Sequence, residues 1–358
     1  MYHLNLHLNR NEVLSNFLVE AEQNQLLRLT DELGITNHVA IFSSGTTGGP
    51  VKGYLLSRDA LLKNAAAVNE RLGLSPSDVW GASLPHYHIG GLSIFYRAKL
   101  LGHSPVNLRP WNPETLTSHI THSGVTVLSL VPAQLYDLVT MGVVAPPGLK
   151  AVLLGGDFLS QELEKSAVSL GWPVVRTFGM SEVCSQLCTG EDTAGHLIPL
   201  PLHTLKVSER GQLLVKSQSL FSYLITKSGQ GWILTSAEDL KQSDGFYPLP
   251  DQVILREGNL LHQGRIDQSI KSSGHLVDLR ALKEILDALM LKENLWGEME
   301  LVMKPSSRHG TSLSLHVTPK VPEIVIRTFK KLIAPVKVDC RNHGSGLFRT
   351  ELGKFKAQ

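Results

Sequence analysis

"SSGTTGGPVKG", residues 43–53, follows the apolar run His38-Val39-Ala40-Ile41-Phe42, which reads as a strand. Four hydroxyl side chains, four glycines and one lysine fall within these eleven residues. Glycine lets backbone N–H groups converge on an anion and hydroxyls add donors, so the stretch suits a phosphate cradle. In isolation it suits a flexible surface turn equally well. What surrounds it decides between the two.

Ahead of the loop, residues 10–33 carry apolar positions at helical spacing (Leu14, Phe17, Leu18, Ala21, Leu26, Leu29, Leu33), closed by Gly34 as a C-terminal cap. Beyond it, strands expected at Val39–Phe42, Trp80–Leu84, Val125–Leu130, Ala151–Leu154 and Val174–Phe178 alternate with helices beginning near Ser57, Ile89, Asn112, Pro132 and Ser160. That alternation predicts an α/β fold of layered sheets. Past residue 200 the pattern changes to short strands, Gln212–Lys216, Trp232–Thr235, Gln252–Arg256 and Leu260–His262, a β-rich subdomain. A further unit opens near Gly264–Asp267, with a helix from Leu279, strands Glu298–Met303 and Ser312–Val317, and a helix over Pro322–Leu332. The expected division is an N-terminal domain over 1–266 and a small, mobile α+β C-terminal domain over 267–358.

With 358 residues, 42% hydrophobic and 18% charged, the composition is that of a globular protein with a sizeable core. A net charge of +2 argues against nucleic acid or an anionic membrane as partner. Three cysteines are too few for a disulfide framework and suit a reducing compartment; Cys184 and Cys188 read as buried thiols. The N-terminus lacks a basic segment followed by an apolar core, and no run of eighteen apolar residues occurs. A cytoplasmic protein without signal peptide or membrane span is expected.

The loop is not a Walker A loop, because Lys52 is followed by Gly53 rather than Ser or Thr. Ser-Gly-Thr-Thr-Gly-x-Pro with Lys-Gly close behind instead resembles the acyl-adenylate-forming superfamily. There the loop, here Ser43, Ser44, Gly45, Thr46, Thr47 and Gly48, binds the β- and γ-phosphates of ATP; Lys52 lies one position later than the family's lysine, with Val51 in its slot. "TFGMSE" (177–182) resembles the family's Tyr-Gly-Met-Thr-Glu segment. The resemblance implies that Phe178, Gly179 and Met180 border the adenine, Ser181 contacts the α-phosphate and Glu182 holds Mg²⁺, a role that suits a carboxylate. "LLGGDFLS" (153–160) resembles the Gly-Gly-Ala segment beside the nucleotide, placing Gly155, Gly156 and Asp157 there. "GWILTSAEDL" (231–240) resembles Gly-Trp-x-x-Thr-Gly-Asp-Leu with two residues inserted, and aligns Asp239 with the ribose ligand, Glu238 being its neighbour. "GRIDQSIKSSG" (264–274) is similar to the hinge segment, implying Arg265 at the ribose and Asp267 as pivot. "RTELGKFK" (349–356) resembles the C-terminal motif whose lysine is catalytic, here Lys354.

The family's acyl pocket is walled by the segment matching "LPHYHIGGLSIFYRAKLLG" (84–102). His86 and His88 read as pocket wall rather than metal ligands, and His88 stands with Lys354 and Glu182 among the catalytic candidates. Arg97, inside an otherwise apolar helix, either covers the surface with its stem or points inward to pair with a second carboxylate of the substrate. His-Ile-Gly-Gly-Leu-Ser-Ile-x-x-Arg resembles the o-succinylbenzoate–CoA ligase branch of the superfamily, which serves menaquinone synthesis. The resemblance implies an AMP-forming acid–thiol ligase using ATP, Mg²⁺, coenzyme A and a dicarboxylic acid. Only 42 residues precede the loop, fewer than the family's members carry, which implies a shortened N-terminal subdomain with one pocket wall open or supplied by a partner subunit in a homo-oligomer. Two rivals stand beside this reading. One is an adenylating enzyme for another acid or for a carrier-protein thiol. The other is a non-catalytic nucleotide-binding homologue, favoured by the shifted Lys52 and displaced Asp239.

Overall fold

The computed structural model describes residues 10–43, 51–229, 231–266, 270–272, 275–277, 279–306, 310–334, 336, 338–344 and 347. The loop residues Ser44, Gly45, Thr46, Thr47 and Gly48, the hinge candidate Asp267 and Lys354 lie outside these, and of Ser43 only the backbone is described.

The anticipated helix over 10–33 is in fact a strand and a shorter helix. Glu12–Leu14 pairs parallel with His38–Ser43. The Ser15 hydroxyl then accepts the N–H groups of Phe17 and Leu18 and turns the chain. The helix Glu20–Glu32 follows, with Gly34 beyond its end at φ +66°. His38–Ser43 and Lys52–Ser57 form an antiparallel pair with Ser43 opposite Lys52, so Lys52 opens a strand instead of belonging to the loop. These strands continue into Tyr223–Ser228 and Gly231–Ser236 as one five-stranded sheet.

The second sheet has eleven strands and two halves. In order across it, Val106–Asn107, Trp80–Ala82, Val127–Leu130, Ala151–Leu154 and Val174–Met180 run parallel. Their βα connections have clear local causes. Asn112 caps Pro113–Ser123 with its side chain, proline sits in the first turn, and Gly124 ends the helix at φ +64°. Ser57 and Ser160 cap the helices Arg58–Arg71 and Gln161–Ser169 in the same way. On its other edge Val174–Met180 pairs antiparallel with Ser185–Glu191, beginning the β-rich half. That strand is where the sheet changes character, and ligands of α/β sheets gather at the carboxyl ends of strands beside such a point.

Residues after 279 build a core of their own from Leu282, Leu286, Met299, Leu313, Leu315, Phe329 and neighbours. The helix Leu279–Lys292 also meets the first unit. Glu284 accepts the Gln161 N–H at 3.2 Å, and Trp296 stacks on Tyr136 at 4.3 Å. Asp287 is buried on this helix. Burial pushes its carboxyl up to about 8, Lys283 opposes the shift, and Glu300, Glu284 and Asp157 add to it. The unfolded carboxyl ionises from about pH 4, so between there and about 8 the native state holds the extra proton and stability falls as pH rises. Asp287→Asn is therefore expected to flatten the pH dependence of the melting temperature across this window and to raise it at the alkaline end. An unaltered slope in thermal melts would exclude the effect.

Candidate nucleotide site at the carboxyl ends of the switch strands

Two expected site segments occupy adjacent strand ends. Gly155 and Gly156 follow Ala151–Leu154, and Ser181 and Glu182 follow Val174–Met180. Gly156 has φ +85°, which favours glycine, and a Cβ there would touch only the Val131 side chain, at 3.6 Å. Gly179 is held by a different constraint. A Cβ on it would lie 2.0 Å from the Ser185 carbonyl oxygen across the irregular pairing of the two strands. The turn after the strand is strained: Ser181–Val183 is a single 3₁₀ turn, and Cys184 and Ser185 follow at φ +58° and +128°.

Around this turn the sheets assemble a belt of polar and aromatic groups. The Tyr54 phenol donates to Glu182 Oε1 at 2.6 Å. Lys52 Nζ lies 5.4 Å from the Tyr54 ring centroid. Burial, with the negative charge of Glu182, drives the Tyr54 hydroxyl far above its ordinary range, while Arg265 pulls the other way. Tyr247 is likewise pushed up, by burial and then by Glu182. The Phe178 ring stands 4.7 Å from His262, and His262 Nε2 donates to Asp251 Oδ1 at 2.9 Å. Asp251, buried, is in register opposite Arg265 on the hairpin Tyr247–Arg256/Asn259–Arg265. Lys52, Phe178, Glu182 and Arg265 thus come together, with Tyr54, Asp251 and His262 as members the sequence analysis passed over.

Asp239 is exposed on the four-residue helix Ala237–Leu240, which packs on Gly231–Ser236. The signal for Asp251 was present in the sequence. Glu257-Gly258 forms a two-residue hairpin turn with both φ positive, and counting back from it sets Asp251 against Arg265 once the one-residue bulge is included. Asp157 is exposed, accepts the Phe158 N–H at 2.8 Å, and bears on Asp287 of the C-terminal unit.

The acyl-side candidates lie behind the strained turn. Arg97 is 1% exposed, so its surface-covering reading fails. Its guanidinium lies 5.2 Å from the Trp80 ring centroid, and Nη2 donates to Ser185 Oγ at 3.1 Å. Nε has no hydrogen-bond partner, and burial pulls the group down to about 9. Among the described residues no carboxylate pairs with it. His88 is the N-cap residue of Ile89–Leu100 with its ring 4.8 Å from Tyr87, and His86 faces Tyr87 and Phe95 edge-on. Cys184 and Cys188 are buried, and burial raises both thiols. No helix among the described residues is long and apolar enough to cross a membrane.

A sheet that changes from parallel to antiparallel, with a carboxylate, an arginine and an aromatic at the change, has the α/β architecture in which ligands gather at the carboxyl ends of strands. A family model for AMP-binding enzymes matches residues 32–221, and the chain belongs to that family. It is 27% identical over 285 residues to the 2-succinylbenzoate–CoA ligase of Staphylococcus epidermidis, covering 73% of this chain and 58% of that one. It is 33% identical over 282 residues to the ligase of the same name from Bacillus cytotoxicus, covering 71% and 58%. The chain spans under two thirds of the length of these relatives. The o-succinylbenzoate CoA synthetase (MenE) from Bacillus subtilis, in complex with the acyl-adenylate intermediate OSB-AMP, superposes with a TM-score of 0.71 at 21% identity, over 88% of this chain and 67% of that one. At that identity the likeness speaks to the fold.

Gly179→Ala is expected to cost roughly 1–3 kcal/mol or more, because the clash is with backbone and no side chain can yield. Denaturant unfolding measures it, and a variant as stable as the parent would refute the close-approach argument.

Proposed function

We propose that this chain activates a carboxylic acid with ATP and passes the acyl group to coenzyme A, with 2-succinylbenzoate as the acid, at the site built around Glu182. The observation that carries this reading is the meeting of Phe178, Asp251, Arg265 and Glu182 at one switch strand. An aromatic face suits the adenine, and a buried carboxylate accepts from the two ribose hydroxyls. The names of the curated relatives support the choice of reaction.

A carboxylate and ATP repel each other, so a site for this reaction must gather positive charge where the α-phosphoryl group becomes more negative. Among the described residues no cluster of three His, Cys, Asp or Glu side chains is placed to enclose a cation. A single carboxylate that shares a hard dication with phosphate oxygens is the arrangement Mg²⁺ favours, and Glu182 fits it. Bound there, Mg²⁺ would supply charge neutralisation of the triphosphate. The substrate carboxylate oxygen attacks the α-phosphorus, the bond to the bridging oxygen breaks, and pyrophosphate leaves. The thiol of coenzyme A then attacks the acyl carbon and AMP departs with the oxygen. Lys354 serves the first step from the C-terminal unit, 267–358, which swings about Asp267 for the second. The backbone of 44–48 holds the outer phosphates.

Arg97 supports a dicarboxylic substrate. A guanidinium buried beside a hydroxyl and an indole, with an unpartnered Nε, is costly without an anion, and a second substrate carboxylate supplies one. Asp251, buried and in register with Arg265, is our candidate for the ribose carboxylate, which weighs against the reading of a non-catalytic homologue. The buried thiols suit the cytoplasm, where we place the protein.

ATP–pyrophosphate exchange across mono- and dicarboxylic acids tests the reading. Exchange with 2-succinylbenzoate is expected, and its absence with every acid would refute adenylation. Asp251→Ala is expected to raise the KM for ATP about tenfold or more, as one charged hydrogen-bonding group is lost, with Asp239→Ala near the parent. Arg97→Leu is expected to raise KM for the dicarboxylate far more steeply than it weakens exchange with a matched monocarboxylate; equal losses on both acids would reject that role.

A further inference from the structure

Tyr54 occupies a position where the chemistry of its hydroxyl, not the bulk of its ring, is distinctive. The ring packs edge-on to Phe221 at 5.1 Å, a contact phenylalanine would make as well. The hydroxyl is buried with it and donates to Glu182 Oε1 at 2.6 Å. Tyr54 lies on the central strand of the five-stranded sheet, paired on one side with Ile41 and on the other with Leu224, so it has little freedom to follow a moving partner. The backbone of Glu182 is held separately, its carbonyl accepting the Phe221 N–H at 2.9 Å. Both ends of Glu182 are therefore fixed, and by neighbours on different strands. A carboxylate whose Oε1 is engaged by a donor keeps Oε2 for a cation.

We propose that Tyr54 is a positioning residue for Glu182: its O–H fixes one carboxylate oxygen so that the other is presented to the Mg²⁺ of a bound Mg–nucleotide. This rests on the nucleotide-site reading above. It also links the strand that leaves the glycine-rich loop to the metal-binding carboxylate, so that triphosphate and cation are aligned by one rigid element.

The test compares the parent, Tyr54→Phe and Tyr54→Leu by calorimetric binding of α,β-methylene-ATP, in excess Mg²⁺ and in EDTA. Melting temperatures are recorded in parallel. Tyr54→Phe is expected to weaken binding of the Mg²⁺ complex about tenfold, the worth of one hydrogen bond to a charged group. Binding of the metal-free analogue and the melting temperature should be little changed. Mn²⁺ titration by electron paramagnetic resonance in the presence of the analogue should show the same selective loss. Equal weakening with and without metal would overturn the proposal, as would a Phe variant matching the parent while only the Leu variant fails. A parent protein that binds the analogue in neither condition would sink the nucleotide-site reading itself, an outcome distinct from a parent that binds and a Phe variant that is indistinguishable from it.

Discussion

The site depends on one constraint, the change of partner along Val174–Met180. Val174–Arg176 pairs with a parallel neighbour on one edge, and Thr177–Met180 pairs with an antiparallel neighbour on the other, which fixes where its carboxyl end lies. The chain must then reverse within the single turn that carries Glu182, at the cost of two consecutive non-glycine residues with positive φ. Strain of this kind persists only where the surroundings over-determine it. Here the Arg97–Ser185 hydrogen bond, the Phe221 N–H on the Glu182 carbonyl and the Tyr54 phenol supply that determination.

Seen from the turn, Arg97 and Tyr54 brace it from opposite directions. Arg97 reaches Ser185 from the helix Ile89–Leu100, and Tyr54 reaches Glu182 from the five-stranded sheet. The proposed acid-binding cation and the proposed metal-binding carboxylate are thereby joined through three residues of chain. Filling the acid pocket and ordering the nucleotide pocket would draw on the same local rigidity.

Among the described residues, the C-terminal unit meets the first through the Gln161 N–H on Glu284, the Trp296–Tyr136 stack, the packing of Leu291 and Trp296 on the first unit's core, and the clustering of Asp157, Glu284, Glu300 and Asp287. A like-charged cluster opposes tight union, while the stacked aromatics favour it. Such an interface is consistent with the proposed movement of this unit between the two steps.

Local chemistry in the sequence settled a good deal. Capping residues Ser57, Asn112 and Ser160 fixed where helices begin, and apolar runs such as Ala151–Leu154 marked parallel strands, because these features act over only a few residues. The approximate places of Phe178, Glu182 and Arg265 followed from motif order. Tertiary structure alone decided which carboxylate stands beside Arg265, that Lys52 belongs to a strand, and that Tyr54 holds Glu182. Each of these joins residues far apart in the chain, and only strand register and packing, which depend on every layer at once, determine such partners.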